Sequence, residues 1–371
     1  MHTSSETKTS TRKGGRRQTR RCGFVPQDRR LLTHPCVLAY SLAEPQSEAG
    51  VVGCFEKKAD RLAMRAPASV ADLIEETMGR DVQRVILVTG ASSGIGRACA
   101  IALSRNGHTV YGTTRREPAD VRAEVRRGVD PSCHLEFLRV DVTDTQAVQD
   151  AVGQILAASG RIDALINCAG FGNAGAIEDS TAADLLAVLD TNLLGTLRCC
   201  RAVLPQMRRQ CSGTIVNISS IAGRMGIPFQ GSYSASKHAV EGMTEALRME
   251  VRPFGVNVVL VEPGDFKTGF TERRQITSLA KDNPVYASQM RRSLSVMEKD
   301  EQGGATPEPV ARLVARILET ASPRVRYVAG PVSEKVAAGL KRVLPSRWFE
   351  RILMMYYRID RGSQSGQSLD R

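Results

Sequence analysis

Seven short apolar runs, RVILVT, HTVYGTT, HLEFLRV, DALINC, GTIVNIS, VNVVLVEP and VRYVAG, alternate with helical segments between residues 84 and 330. Several of them are apolar on consecutive positions, the mark of strands buried on both faces. Strand, helix and strand repeated in that order predict a parallel sheet sandwiched between helix layers. Two long helices are expected over residues 181–208 and 231–252, and no repeat at solenoid spacing competes with this reading.

Upstream, residues 1–80 are rich in Ser, Thr and Arg and then broken by proline, without a sustained period. They are expected to form a basic, disordered extension, dispensable to a functional part that begins near Met64 or Met78. Their Arg-rich, acid-poor start resembles an organellar transit peptide. The net charge of +12 is largely local, because residues 1–30 hold nine Lys/Arg against two Asp/Glu. Without aromatic interleaving or a binding motif, nucleic acid is not an expected partner. No uninterrupted apolar run approaches the ~18 residues of a membrane span, and a cytoplasmic protein is expected. The nine cysteines form no CxxC pair and no Cys/His cluster, so no metal is expected. Cys99, Cys168, Cys199 and Cys200, in apolar surroundings, read as buried reduced thiols.

The first run leads directly into TGASSGIG, residues 89–96, and then a helical segment. Glycines at 90, 94 and 96 clear the approach to a pyrophosphate, and the helix N-terminus offers it free N–H groups and a positive dipole. This is the pattern of a dinucleotide site. The end of the second run selects between cofactors. A carboxylate there would accept from ribose hydroxyls and repel a 2'-phosphate, but the chain has Thr114, Arg115 and Arg116. NADP(H) is therefore expected over NAD(H), with Arg115 as the main phosphate partner and Arg97 or Arg116 assisting.

Residues 233–237 read YSASK. At i and i+4 of a helix, Tyr233 and Lys237 leave the same face. A cation 4–5 Å away at an effective dielectric near 20 supplies about 3–4 kcal/mol, most of what bringing a phenol from ~10 to neutrality requires. An oxidised nicotinamide would add the rest.

The GxxxGxG spacing and YSASK together resemble the classical short-chain dehydrogenase/reductase family. DVTD (141–144), NCAG (167–170), TNLLG (191–195), IVNISS (215–220) and EPGDFKT (262–268) follow in the family's order. The resemblance covers about 84–330 and implies a single α/β domain, a Rossmann-type doubly wound parallel sheet of about seven strands with helices on both faces. The expected domain spans 81–335 and includes a substrate loop at 266–304. By the resemblance, Tyr233 is the general acid and base, and Lys237 lowers its pKa and binds the nicotinamide ribose. Ser220 holds the substrate oxygen, and Asn192 supports a water-linked proton relay. Strand alternation allows only one of Ser219 and Ser220 to serve, and Ser220 is preferred. The cofactor would further meet Gly90, Ser92, Ser93, Gly94, Ile95, Gly96, Asp141, Val142, Asn167, Ala169, Gly170, Pro263, Gly264 and Thr268. Where the family more often has a second Asn, this chain has Cys168, a departure expected to touch packing more than chemistry. His238 reads as structural or surface.

These features imply an NADP(H)-dependent oxidoreductase interconverting carbonyl and alcohol. The alternative is a cofactor-binding sensor without turnover, which loss of Tyr, Lys or Ser would have favoured. VYGTTRRE, the IAGRMGIPFQGSYSASKHAVEG stretch and TPEPVARLVARILETASPRVRYVAG resemble the 17-beta-hydroxysteroid and retinol dehydrogenase branch, implying a steroid, retinoid or lipid-like substrate. Phe270, Ile276, Leu279, Tyr286, Met290, Leu294 and Met297 recur near helical spacing, as an apolar lid or as core. The segment 336–371 mixes apolar and basic residues around Trp348. Packing is expected of it, with a membrane surface as the alternative. The two long helices are where family members commonly pair, so a homodimer or homotetramer is expected.

Overall fold

The computed structural model describes residues 83–126, 130 and 132–359; the expectations for residues 1–80 lie outside them. β1 (Val85–Val88), β2 (Thr109–Thr114), β3 (Leu135–Arg139), β4 (Ala164–Asn167), β6 (Gly213–Ile218), β7 (Val256–Pro263) and β9 (Arg326–Ala329) form one sheet in the order β3-β2-β1-β4-β6-β7-β9. Every pairing in it is parallel. β5 (Asn173–Ala174) and β8 (Gln275–Ile276) make a separate short pair that the strand pattern did not announce.

Strand alternation divides the core in two. Ile86 and Val88 meet Cys99 and Leu103 of α1 (Gly94–Arg105) and Val310 and Val314 of α9 (Glu308–Glu319) on one face. Val85 and Leu87 meet Ile155 of α3 (Thr145–Ser159) and Val203 and Met207 of α5 (Gly195–Gln210) on the other. Each such side chain, fully buried, contributes about 1.5–3 kcal/mol. α2 (Pro118–Arg126) connects β2 to β3.

The helix expected over 181–208 is interrupted. α4 (Ala182–Leu189) starts in a capping box between Thr181 and Asp184, a π turn follows at Asp190–Leu194, and α5 completes the run. The π turn carries Asn192 inward, 1% exposed. α6 (Gly231–Val251) matches the second expected helix.

A third cluster lies beyond the strand ends. It joins Met225 and Ile227 to Leu294 and Met297 of α8 (Pro284–Gly303), Phe349 of α11 (Ser346–Tyr356), and Tyr357. The buried faces of α8 and α11 thus pack as expected, and Ser293 Oγ donates to the Tyr357 carbonyl at 2.7 Å. Short α7 (Phe270–Arg273) precedes α8, and α10 (Val332–Val343) precedes α11. Among the described residues, no helix is long and apolar enough to cross a membrane.

Candidate active site

A cleft runs along the C-terminal ends of β1 and β4, where the strand order reverses, the usual ligand position in such sheets. Its floor is the glycine turn. Gly90 and Gly94 have φ of 64° and 55°, in the left-handed region that favours glycine. A Cβ on Gly96 would lie 2.4 Å from the Gly90 carbonyl oxygen, and one on Gly90 would lie 2.9 Å from Cα of Ala169. Thr89 Oγ1 accepts from the N–H groups of Cys168 and Ala169, each at 3.0 Å, and fastens this turn to the end of β4. Side chains would fill the cradle, so the residues present suit a dinucleotide phosphate.

Of the residues expected to meet the cofactor, Gly90, residues 92–96, Arg115, Asp141, Val142, Ala169, Gly170, Pro263, Gly264 and Thr268 line the cleft. Asp141 Oδ1 accepts from the Thr143 N–H and hydroxyl at 3.0 and 2.8 Å, while Asp144 caps α3. Two expectations fail. Arg116 turns away, donating to Glu124 Oε2 at 3.0 Å, and shares that carboxylate with Arg97 at 2.6 Å. These arginines hold the Glu124 carboxyl below its usual pKa, Arg116 more than Arg97. Asn167 is buried behind the cleft, where its amide donates to Asn217 Oδ1 at 2.9 Å.

Tyr233, Lys237 and Ser220 converge where β6 meets α6. Lys237 Nζ donates to the Ile218 carbonyl at 2.9 Å and stands 5.8 Å from the Tyr233 ring centre. Burial pushes Lys237 down to about 8 and Tyr233 up to about 12. The expectation that the lysine nearly neutralises the phenol's pKa is thus not met: burial dominates, and the Ser220 hydrogen bond is the main effect opposing it. Ser219 is committed elsewhere, donating to Glu241 Oε1 at 2.8 Å, which leaves Ser220 to the site. Asn192 clamps the loop after β4. Its Oδ1 accepts from Phe171 N–H, and its Nδ2 donates to the Phe171 carbonyl and to Ser236 Oγ, all at 3.0 Å. His238 is exposed, with Nδ1 2.8 Å from the Ser234 carbonyl.

Cys168 lines the cleft beside Cys99, whose hydrogen bond, with burial, raises its thiol well above the usual pKa. Cys99, Cys168, Cys199 and Cys200 are free thiols, as expected, while Cys211 is disulfide-bonded.

The substrate end combines apolar walls with acids. Phe270 packs on Tyr233 with ring centres 5.4 Å apart, and Ile221, Ile227, Met297 and Tyr357 join it. Of the expected lid residues, Phe270 and Met297 line the cleft, whereas Leu279 is 51% exposed and Tyr286 donates to Glu178 at 2.7 Å. Asp265, Asp300 and Glu301 line the same end, and Glu301 and Asp265 act electrostatically on the Tyr233 phenol. Glu334 accepts from the Asp265 N–H at 3.0 Å, tying α10 to the loop after β7. Burial, then the neighbouring Glu334 carboxylate, raises Asp265 well above the usual carboxylate range. Asp265, Tyr357 and Arg273 were missed in the sequence. Asp265 lay inside the quoted EPGDFKT, but the other two stood in segments read for apolar spacing alone.

Residues 84–278 match the family model described as short chain dehydrogenase. The chain is 44% identical over 276 residues to a 3-ketodihydrosphingosine reductase of Bacteroides thetaiotaomicron, covering 74% of this chain and 98% of that protein. It is 34% identical over 256 residues to the 17-beta-hydroxysteroid dehydrogenase type 1 of Mus musculus, covering 66% and 72%. A solved short-chain dehydrogenase from Streptomyces avermitilis matches with TM-score 0.62 and 33% identity, over 76% of this chain and 99% of that one. A metagenomic short-chain oxidoreductase in complex with NADP matches at 0.55 and 27%, over 68% and 100%. One from Burkholderia phymatum in complex with NAD matches at 0.61 and 25%, over 79% and 100%. With its parallel sheet, glycine cradle and Tyr–Lys–Ser cluster, the chain belongs to the short-chain dehydrogenase/reductase family and is an NAD(P)-dependent oxidoreductase acting between alcohol and carbonyl groups.

Proposed function

We propose that the protein is an NADP(H)-dependent reductase of long-chain 2-amino ketones of the sphingoid type. The observation that carries this is the placing of Asp265 and Asp300 with apolar walls around one carbonyl-reducing cluster, beside a Glu301 that is already paired with Arg274. A 3-ketosphingoid base has an ammonium one carbon from its ketone and an alkyl chain beyond, and the 44% identical relative is named for reducing such a ketone. A steroid ketone offers those carboxylates no cation. For the cofactor, Arg115 faces the cleft and no carboxylate stands at Thr114, which supports NADP(H) over NAD(H).

In the proposed reaction a bound NADPH supplies the hydride. Ser220 donates to the ketone oxygen and polarises it. Tyr233, kept protonated through the neutral range by burial, gives its proton to the same oxygen as the alcohol forms. Lys237, whose Nζ donates to the Ile218 carbonyl, returns a proton to the phenol in this reading, with Asn192 fixing the adjoining loop. NADPH oxidation with 3-ketodihydrosphingosine, its analogue lacking the amine, a steroid ketone and retinal tests the reading. The amino ketone is expected to exceed the others at least tenfold in kcat/KM, about 1.4 kcal/mol, and Asp265→Asn should narrow the gap to its deaminated analogue. Equal rates with and without the amine would defeat the assignment.

A substrate of this kind resides in a bilayer, and α10 and α11 supply a surface for one. Val336, Leu340 and Val343 form one exposed i, i+4, i+7 stripe, and Trp348, Ile352 and Met355 another. Lys341, Arg342, Arg347 and Arg351 stand among them, all exposed, while Tyr357 just beyond α11 lines the cleft. The protein is expected to float with phosphatidylglycerol-containing vesicles and not with pure phosphatidylcholine, and to lose this on joint Trp348→Ser and Met355→Ser substitution. Protein left at the bottom of both gradients argues against the surface.

A further inference from the structure

We infer that Arg273, carried on α7 in the substrate segment, is the second cation of the adenosine 2'-phosphate site, so that one segment serves both the substrate and the choice of cofactor. The inference rests on the NADP(H) reading above.

Four arginines surround the adenosine end of the cleft, and they fall into two pairs. Arg97 and Arg116 are both ion-paired to Glu124, and neither lines the cleft. Arg115 and Arg273 both line the cleft, and among the described residues neither lies within ion-pair distance of a carboxylate. Burial lowers the Arg273 pKa, the adjoining Glu272 opposes that, and the charge of Arg115 adds to the lowering. Two cations lining one cleft with no carboxylate in ion-pair contact favour a multiply charged anion between them.

The position of Arg273 is also held. Its Nε donates to the Gly269 carbonyl at 2.6 Å, and Nη1 contacts Ser93 Oγ, 180 residues earlier in the chain. Nη2 stands 3.8 Å from where a Cβ on Gly94 would lie. The glycine turn itself offers the hydroxyls of Ser92 and Ser93 but no cation, so this guanidinium, reaching in from beyond β7, brings the charge that the turn lacks. With Nε and Nη1 engaged, the planar fork keeps the Nη2 N–H groups for a phosphate.

The test is calorimetric binding of adenosine 2',5'-bisphosphate and of ADP to the wild type, Arg273→Gln and Arg115→Gln, with KM for NADPH and NADH alongside. Arg273→Gln is expected to weaken the 2',5'-bisphosphate about tenfold or more while leaving ADP within about twofold. KM should rise for NADPH far more than for NADH. An unchanged melting temperature would exclude a folding defect, and Arg273→Lys should recover part of the loss. An equal loss on both nucleotides would make Arg273 a pyrophosphate contact and overturn the inference. So would no loss on either, and if Arg115→Gln still lost the 2',5'-bisphosphate selectively, the NADP(H) reading would stand without Arg273. A wild type that binds both nucleotides alike removes the NADP(H) reading itself.

Discussion

Tyr233→Phe is expected to lower kcat for ketone reduction by about 10²- to 10⁴-fold while leaving cofactor affinity within a factor of about two, because it removes a proton donor and little packing. The ring keeps its contact with Phe270. The Tyr233 carbonyl still accepts from Ser236 Oγ at 2.7 Å. Direction matters as well. Burial raises the phenol to about 12 and lowers Lys237 to about 8, so at neutral pH the phenol carries the proton that reduction consumes. Alcohol oxidation needs the phenolate, and its rate should climb as pH rises above neutrality, whereas reduction should be flat there until proton supply falls. Ser220→Ala should lose kcat too and displace the oxidation profile to higher pH, since the Ser220 hydrogen bond opposes the effect of burial. Single-turnover NADPH oxidation with the ketone, and NADP+ reduction with the alcohol across pH, in wild type, Tyr233→Phe and Ser220→Ala measure these effects. A Tyr233→Phe enzyme retaining more than about a tenth of the wild-type rate would remove the tyrosine from the chemistry.

The parallel sheet was legible because apolar runs such as VILV fill both faces of a central strand, and β1 is buried at all four positions. TGASSGIG and YSASK were legible because their geometry is local: a turn into a helix, and two residues one helical turn apart. What depends on residues far along the chain was not. Nothing near Arg116 announces that α2 will bring Glu124 beside it, so it read as an assistant to Arg115, yet Arg115 faces the cleft and Arg116 is paired with Glu124. Asn167 looked like a cofactor contact because it stands in NCAG, yet its side chain is held by Asn217 of the neighbouring strand. The π turn at Asn192 left no mark in a helical run that reads as continuous. The pKa of Tyr233 was misjudged for the same reason, since a pairwise charge argument omits burial that only the assembled cleft creates.

Replacing Arg326 by Met is expected to cost about 3–5 kcal/mol of stability, the usual penalty for removing one partner from a buried ion network. Glu262 on β7 is fully buried, and two guanidinium groups serve it: Arg224, at 2.5 Å, and Arg326, at 2.7 Å. Arg326 also meets Glu241 and, at 2.5 Å, Glu245, so one side chain on the edge strand holds three carboxylates of β7 and α6. Methionine fills much of the same volume without charge, which leaves Glu262 to Arg224 alone and strips Glu241 of its cation. Burial already raises the Glu262 pKa, and losing Arg326 raises it further. A carboxyl whose folded pKa exceeds its unfolded value of ~4.3 binds protons more readily when folded, so it costs stability above the folded pKa and less as pH falls toward 4.3. The deficit of Arg326→Met should therefore be largest near pH 8 and shrink toward about pH 5. Urea unfolding at both pH values measures it, and adding Glu262→Gln to the variant should return part of the loss. A deficit under about 1 kcal/mol, or one identical at the two pH values, would mean that solvent reaches the network and screens it. The consequence extends to catalysis: Glu241 also accepts from Ser219 and favours the charge of Lys237, so the network anchors the strand end that presents Ser220.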